Sequence, residues 1–178
     1  MAWRVRAATP ADAERLGEIR VLSWRHAYRG ILPDAGLAGM QPNAPHWAEL
    51  AAAPPPTGLF VAVGDDDVPM AYCLVGAARE EVDVHPELAT GELWAIYSDP
   101  AVLGTGAGRA VHDAGVAYMA AQGFAHAVLW VIENNDIGLR FYRATGWQAD
   151  GGQDTFEWNG TTVVELRYAK TLAQPSSV

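Results

Sequence analysis

The sequence has little positive charge and no long apolar run. Lysine and arginine together number 12 against 21 aspartates and glutamates, which gives a formal net charge of −9. Because a nucleic-acid surface needs a basic face, this balance argues against DNA or RNA as a partner. No stretch approaches the roughly 20 apolar residues that span a bilayer, and no charged-then-apolar signal segment opens the chain. We therefore expect a cytoplasmic protein with no nucleic-acid or membrane partner.

Cysteine and histidine are too sparse for a disulfide framework or a metal site. Cys73 is the only cysteine, so an internal disulfide is excluded, and the apolar run around it (70–75) predicts a buried thiol. The five histidines are scattered along the chain and none has a ligand spacing. We therefore predict that the protein binds no metal.

The chain does have enough apolar sequence for one domain. It contains 178 residues, of which half are hydrophobic and 19% are charged. A domain of this length supports a core without disulfides or metals. We place a single domain at residues 1–170 and a flexible C-terminal tail at residues 171–178.

Periodicity and turn signals predict a mixed α/β domain. The order is one strand, helices, several antiparallel strands, and then strand–helix–strand–helix–strand, with two crossovers in the second half. Asn159-Gly160, between two strand-like runs, predicts a tight hairpin turn. The predicted strands are 3–7, 59–63, 70–77, 93–97, 127–131, 155–158 and 161–168, and the predicted helices are about 10–27, 34–40, 44–53, 106–122 and 136–144.

The segment that ends at Arg109 is the most informative part of the chain. It places Gly104, Gly106 and Gly108 between a predicted strand and a predicted helix. Such a turn directs free N–H groups and the positive end of the helix at one point, which suits an anionic phosphate. Arg109, in the first helical turn, would add a charge-assisted contact. The alternative is an ordinary tight loop whose small residues serve packing.

Two other phosphate-binding motifs do not match this segment. A dinucleotide-binding fingerprint requires glycine where Arg109 stands. A nucleoside-triphosphate loop requires Gly-Lys-Ser or Gly-Lys-Thr, which the sequence lacks. The turn therefore predicts a phosphate-bearing ligand of another class.

Residues 93–109 resemble the acyl-CoA signature of the GNAT N-acetyltransferase superfamily. The usual pattern is Arg or Gln, two residues, Gly, any residue, and then Gly or Ala. Gly106 and Gly108 occupy the two glycine positions, and Leu103 stands where Arg or Gln is usual. This departure removes one side-chain contact and leaves the backbone N–H groups of the turn in place.

A second segment, residues 131–147, resembles the strand–Asn–helix–Tyr–Gly-aromatic block of the same superfamily. Asn135 occupies the Asn position and Tyr142 the Tyr position, while Gly138 replaces the usual Ala. The resemblance covers nearly the whole chain. It implies one GNAT-like domain, with a central, twisted, mostly antiparallel sheet of about six to seven strands. That sheet would be splayed at the acyl-CoA site and flanked by about four helices.

The resemblance also implies the reaction and its co-substrate. An acetyl group would pass directly from acetyl-CoA to a primary amine of a small molecule or to a peptide N-terminus. The pantetheine arm would enter where the sheet splays, and the glycine turn would hold the pyrophosphate. The residues expected to bind acetyl-CoA are Ile96, Tyr97, Ser98, Leu103, Gly104, Thr105, Gly106, Ala107, Gly108, Arg109, Asn135 and Tyr142.

Catalysis needs a neutral amine and a proton for the departing thiolate. Tyr142 matches the family's general acid, with a packed core tyrosine as the alternative. Glu92 stands where some relatives place a water-mediated base, with a solvated or ion-paired strand-start acid as the alternative. Glu133 is a weaker candidate, and solvent alone is a further option. Alternation along the strand places Glu92, Trp94, Ile96 and Ser98 on one face and Leu93, Ala95 and Tyr97 on the other.

The acceptor is the least determined partner. We expect Trp24, Tyr28 and Tyr97 to line its pocket, with core packing as the alternative. Five acidic residues between Glu80 and Glu92 form either a solvated loop or a surface that attracts a cationic amine. A CoA-binding regulatory or structural module with little turnover is the competing function. The acceptor, the length of the acyl group, the base and the oligomeric state stay open, with a homodimer among the options.

Overall fold

A computed structural model describes residues 3–173, and in that range the chain forms seven β-strands and five α-helices. Short 3-10 turns at Pro10–Asp12, Glu81–Asp83 and Pro100–Val102 connect some of them. The elements in chain order are β1 (Arg4–Ala7), α1 (Ala13–Ala27), α2 (Asp34–Gly39), α3 (Ala44–Ala51), β2 (Gly58–Val63), β3 (Pro69–Ala77), β4 (Thr90–Ser98), α4 (Ala107–Ala121), β5 (His126–Ile132), α5 (Asp136–Ala144), β6 (Gln148–Trp158) and β7 (Thr161–Thr171).

The strands form one sheet in the order β1-β2-β3-β4-β5-β7-β6. All neighbours are antiparallel except β4 and β5, so the predicted mixed, mostly antiparallel fold is confirmed. The parallel pairing is short: it joins Thr90–Glu92 to residues 126–128 and stops there. Beyond that point β4 continues to Ser98 and β5 to Ile132 without pairing with each other, although each stays paired on its other edge. The sheet therefore opens between its two central strands.

A bulge interrupts β4 next to this opening. Leu74 pairs with Ala95 while Val75 pairs with Leu93, so Trp94 has no partner of its own on β3. The Trp94 ring lies across Gly76, where an added Cβ would come within 2.4 Å of it. An extra residue in one strand of an antiparallel pair shifts the side-chain alternation by one position.

The bulge makes our prediction of the two faces of β4 wrong. Leu93 and Ile96 both pack in the core under α4, although they are three residues apart. Trp94, Ala95 and Tyr97 all pack on the opposite side, under α1 and α3. Strict alternation had placed Ile96 with Trp94, and Ala95 and Tyr97 with Leu93. The period of two fails because the alternation holds only for an unbroken strand.

The core has one layer on each face of the sheet. The layer between α4 and the sheet contains fully buried side chains, among them Val111 and Met119 of α4, Trp147, and Cys73 of β3. Burial raises the pKa of the Cys73 thiol, in agreement with the expected inert, buried cysteine. The layer on the other face joins Leu16 and Ile19 of α1 and Trp47 of α3 to Val61 and Tyr72 of the sheet. The sheet thus lies between two helical layers and packs against both.

Some predicted boundaries differ from the observed ones. β7 ends at Thr171, and Leu172 is only 3% exposed and donates its N–H to the Ala125 carbonyl at 2.9 Å. The ordered domain therefore continues past residue 170, and residues 174–178 of the predicted tail lie outside the described residues. The hairpin turn is confirmed, since Asn159 and Gly160 both have positive φ, at 48° and 78°. Within residues 3–173 no helix is long and apolar enough to cross a bilayer. The cytoplasmic location stays a prediction.

Candidate functional site

A cleft of about 350 Å³ lies where β4 and β5 separate, and we call it the central cleft. It is bounded by the free ends of both strands, by the turn before α4, by one face of α5 and by the end of α1. Most of the predicted site residues line it: Tyr28, Ile96, Tyr97, Ser98, Leu103, Gly104, Gly106, Gly108, Arg109, Asn135 and Tyr142. Trp24, Glu92, Thr105 and Ala107 do not.

The glycine turn forms one end of the central cleft. Gly104 and Gly106 have φ of 76° and 93°, a region that L side chains rarely adopt. Gly108 serves a different purpose, because a Cβ there would lie 3.1 Å from the Ser98 hydroxyl oxygen. Glycine at this position lets α4 approach β4 closely.

The start of α4 presents free backbone donors to the cleft. Gly106 is the N-cap residue, and no side chain caps this end of the helix. The first N–H groups of a helix lack partners within the helix, and among the described residues they meet no other acceptor. They coincide with the positive end of the helix dipole. The geometry suits a phosphate.

The side chains around the turn divide into two groups. Arg109 lines the cleft, and its Nε donates to both carboxylate oxygens of Asp113 at 2.9 Å. Thr105 instead holds the turn together, because its hydroxyl donates to the Val102 carbonyl at 2.7 Å. Ala107 is fully buried in the core. A ligand would therefore meet Thr105 and Ala107 only through their backbone groups.

Asn135 stands at the start of α5 and caps it. Its Oδ1 accepts the Gly138 N–H at 3.0 Å, and the residue is 8% exposed. A Cβ on Gly138 would lie 2.6 Å from the Asn135 Nδ2, so glycine makes room for the capping amide. The capping role is visible in the structure, and contact between Asn135 and CoA stays a prediction.

Tyr142 reaches the central cleft from α5. It is 8% exposed, and its hydroxyl makes no hydrogen bond to any residue in the described part of the chain. Burial raises the pKa of the Tyr142 phenol, and the nearby Tyr97 and Cys73 raise it further. The phenol therefore stays protonated across the neutral range and is able to donate a proton into the cleft.

Glu92 lies outside the central cleft in a buried ion pair. It is 2% exposed, and the Arg79 Nη2 lies 2.5 Å from its Oε1. The Arg79 backbone N–H also donates to Oε2 at 3.0 Å. Arg79 lies two residues after the end of β3 and 13 positions before Glu92 in the sequence, so no local pattern predicted this pair. The role of Glu92 as a base stays a prediction, although both of its oxygens are engaged.

A cluster of aromatic side chains adjoins the cleft, and two of its members, Tyr28 and Tyr97, line it. Trp24 and Tyr28 meet edge to face with ring centroids 5.0 Å apart, and Trp24 lies 6.4 Å from Tyr97. Trp158 of the β6–β7 hairpin completes the group at 5.9 Å from Trp24. Burial raises the pKa of both Tyr28 and Tyr97. The predicted pocket residues are therefore neighbours, and Trp158 is an addition that sequence analysis missed.

Sequence analysis also missed the apolar walls of the cleft. Val131 on β5 and Ile137 and Phe141 on α5 line it beside the two motif residues of that block. Their positions in the sequence, close to Asn135 and Tyr142, were the only features that could have predicted that they line the cleft. Among the described residues no group of three or more His, Cys, Asp or Glu side chains is placed to hold a metal ion. The expectation of a metal-free protein stays a prediction.

Comparison with known proteins connects this geometry to a family. A family model described as "Acetyltransferase (GNAT) family" matches residues 12–147. An uncharacterized N-acetyltransferase, YuaI, of Bacillus subtilis (strain 168) is 29% identical over 162 residues, which cover 91% of this chain and 89% of that protein. A mycothiol acetyltransferase of Thermobispora bispora is 34% identical over 101 residues, or 53% of this chain. That match spans only 32% of the relative's length.

A solved structure shows the same fold. The crystal structure of PaiA N-acetyltransferase from Thermoplasma acidophilum in complex with coenzyme A superposes with a TM-score of 0.74. The alignment covers 96% of this chain and 99% of that one, at 16% sequence identity. At this identity the likeness concerns the fold alone.

Proposed function

The chain belongs to the GNAT acetyltransferase family, and from that premise we propose that it moves an acetyl group from acetyl-CoA to the nitrogen of an amine. One observation supports the proposal most: the central cleft opens between β4 and β5 and ends at the uncapped start of α4. An unpaired strand edge and a set of free N–H groups thus face the same space. A small amine and a peptide N-terminus are both compatible acceptors.

The residues of the cleft fit acetyl-CoA. The glycine turn offers backbone N–H groups to a pyrophosphate, with Arg109 at its rim. The free edge of β4 at Ile96 and Ser98 offers backbone groups to the amides of a pantetheine arm, as an added strand would use them. Val131, Phe141 and Ile137 supply apolar surface along the same cleft. When bound, acetyl-CoA would supply the acetyl group as an activated thioester.

We infer that Tyr142 is the proton donor of the reaction. The amine nitrogen attacks the thioester carbonyl carbon, so that a C–N bond forms and the C–S bond breaks. The sulfur leaves with the electron pair of that bond and takes the phenolic proton of Tyr142, which regains one from solvent. The raised pKa of Tyr142 keeps the phenol protonated at neutral pH, so a proton is present at the cleft when the sulfur leaves.

The proton lost by the amine has no evident acceptor in the cleft. Within the described residues no carboxylate or imidazole lines it. We therefore infer that the amine gives its proton to water, which was one of the options from the sequence. Glu92→Gln decides whether water or Glu92 takes the proton of the amine. An unchanged kcat in this variant would exclude Glu92 as the base.

The first prediction tests the proposed acid. Tyr142→Phe should lower kcat for thiol release from acetyl-CoA by roughly 100-fold or more, because general acid catalysis contributes about that much. Affinity for CoA should stay within about threefold of the unchanged protein, since the ring remains. Thiol release is followed across a panel of amines, and CoA binding by calorimetry.

Tyr118→Phe is the matched control. That phenol lies on α4, donates to the Thr57 carbonyl at 3.1 Å and does not line the cleft. Its loss should leave kcat unchanged. Full turnover by Tyr142→Phe would exclude the proposed acid. A protein that binds CoA but releases no thiol with any amine would instead be the CoA-binding module.

A further inference from the structure

A second cavity lies on the other side of the bulge in β4. Its volume is about 490 Å³, and we call it the side cavity. It lies between α1, α3 and β4, and it shares Trp94, Ala95 and Tyr97 with the central cleft. The two spaces therefore meet at the bulge, beside the cleft in which the proposed acetyl transfer would take place.

Arg20 of α1 lines the side cavity and has no anionic partner. Its guanidinium carbon lies 4.6 Å from the centre of the Trp24 ring. In the part of the chain that the structure describes, Arg20 makes no salt bridge and no hydrogen bond, and it is only half exposed. The other arginines that make no salt bridge among the described residues are all exposed: Arg25, Arg29, Arg140 and Arg143. A half-buried cation without a counter-ion is unusual, because burial of a charge is costly unless it is paired.

Further donors beside Arg20 also lack acceptors. The indole nitrogen of Trp24 is buried and meets no well-aligned acceptor among the described residues, although it lies close enough to the Tyr97 hydroxyl to lower the pKa of that phenol. The Tyr72 hydroxyl is likewise buried without a partner in this range, and Tyr72 is fully buried. The positive charge of Arg20 lowers the pKa of the Tyr72, Tyr28 and Tyr97 phenols, against the larger rise from burial, so these phenols lie near it. The region supplies hydrogen-bond donors and positive charge.

One carboxylate acts on this region from outside its lining: the charge of Glu165, on β7, raises the pKa of Tyr28. Among the described residues no aspartate or glutamate lines the side cavity or the central cleft. The second arginine of the side cavity, Arg79, is already neutralised by Glu92. Asp83 pairs with Arg167 at 3.0 Å, so it too is compensated. The acidic segment that the sequence linked to a cationic acceptor therefore does not face either space.

We propose that the acceptor is an amine that also carries a carboxylate, as a free amino acid does, and that Arg20 binds this carboxylate against the Trp24 ring. The proposal rests on the proposed acetyl transfer. With its carboxylate at Arg20, the acceptor lies in the side cavity and directs its amine past Tyr97 to the central cleft. A planar guanidinium binds a carboxylate through two parallel hydrogen bonds, so Arg20 both selects and orients the acceptor.

Matched acceptors test the proposal. Thiol release from acetyl-CoA is measured with free amino acids, with their carboxamides and with the corresponding decarboxylated amines. The free amino acids should show a KM at least about tenfold lower than either analogue, since hydrogen bonds between charged groups are worth about that factor. The carboxamides have the less basic amine, so chemical reactivity alone would favour them instead.

Arg20→Gln separates recognition from catalysis. It should raise the KM for free amino acids by roughly 10- to 100-fold, while the KM for acetyl-CoA and the rate with carboxamides stay unchanged. Arg140→Gln, which removes an exposed arginine of α5, is the control and should change neither value. Calorimetric CoA binding by Arg20→Gln verifies that the variant is folded.

The outcomes distinguish this proposal from the proposed function. Equal use of amino acids and carboxamides, preference for a polyamine, or an Arg20→Gln variant with an unchanged KM would each overturn the carboxylate site while acetyl transfer stands. Absence of thiol release with every amine would overturn acetyl transfer itself, and the carboxylate site with it. A lower KM for amino acids that Arg20→Gln abolishes would support both.

Discussion

His112 shows how burial sets the protonation state of a single residue. The imidazole is 2% exposed in the core under α4. Its Nε2 lies 2.9 Å from the Trp147 indole nitrogen, which donates, and its Nδ1 lies 2.8 Å from the Asp113 carboxylate. Nε2 must therefore carry no proton, and Nδ1 donates to Asp113. Burial lowers the pKa of His112, and the charges of Lys170 and Arg109 lower it further, against the opposing effect of Asp113.

Stability should consequently decrease in mild acid. The unfolded chain takes up a proton on His112 near its ordinary pKa of about 6.5, whereas the folded state does so only at lower pH. Between those two values the unfolded state binds more protons, so the free energy of unfolding falls as the pH falls. We expect Tm to decrease from pH 7.5 to pH 5, and His112→Gln to flatten this slope.

The control for this prediction is His46→Gln. His46 is exposed, so its loss should leave the slope unchanged. His126 has a pKa lowered by burial and by His85, and it contributes a residual slope of the same sign in every variant. Thermal unfolding is measured at four or five pH values. A slope in His112→Gln equal to that of the unchanged protein would exclude the buried imidazole as its source.

Single residues also show where sequence reasoning stops. The resemblance of residues 131–147 to the family block implied that Asn135 and Tyr142 share one site, and both line the central cleft. The structural role of Gly138 could not be predicted from the sequence, because glycine within a helix normally only weakens that helix. Here it leaves space for the capping amide of Asn135, a contact that depends on the side-chain conformation.

Among the elements, β4 combines a bulge, a free edge and a buried ion pair. Glu92 is almost fully buried, whereas the side chain of Arg79 is 55% exposed. Removal of Arg79 leaves a carboxylate buried without its partner, which is strongly destabilising. We expect Arg79→Ala to lower the free energy of unfolding by about 3 kcal/mol, at the low end for such pairs because the arginine is half exposed.

Arg4→Ala provides the comparison for the ion pair of β4. Arg4 pairs with Asp67 at 2.6 Å, but both side chains are more than half exposed. Exposed ion pairs are worth less than about 1 kcal/mol, so this variant should lose little stability. Urea unfolding of both variants measures the difference. Equal losses would show that Glu92 gains no more from its partner than a surface carboxylate does.

The elements themselves were largely predictable from local patterns. The β6–β7 turn at Asn159-Gly160 follows from two adjacent residues that tolerate positive φ. The bulge at Trp94 was not predictable, because it depends on the register between β3 and β4, which lie more than ten residues apart in the chain. The same holds for the pairing of Arg79 with Glu92 and for the neighbours of Arg20. Such contacts are determined by the packing of distant segments.

For the whole molecule, the net charge of −9 is a poor guide to the ligand. The composition favours cationic partners, yet the central cleft ends at the positive end of α4, and Arg20 and Arg79 line the adjoining side cavity. Among the described residues the acidic side chains lie outside the lining of both spaces, and many of them are on exposed loops or in ion pairs. Long-range charge therefore describes the surface, and the local arrangement of backbone donors and arginines describes the site.

The central claim is that the glycine turn at the start of α4 binds CoA. Gly106 precedes α4 with φ of 93°, and Gly123 follows it with φ of 90°. A Cβ at either position would have no heavy atom within 4 Å, so alanine should cost both variants the same stability, about 1 kcal/mol. Gly106 lines the central cleft and Gly123 does not.

Calorimetric titration with CoA therefore tests the claim most directly. The unchanged protein and Gly123→Ala should bind CoA with equal affinity. Gly106→Ala should bind at least about tenfold more weakly, since the added Cβ, on a residue that lines the cleft, hinders the approach of the pyrophosphate to the N–H groups of the turn. No CoA binding by the unchanged protein, or equal affinity in the two variants, would contradict the account.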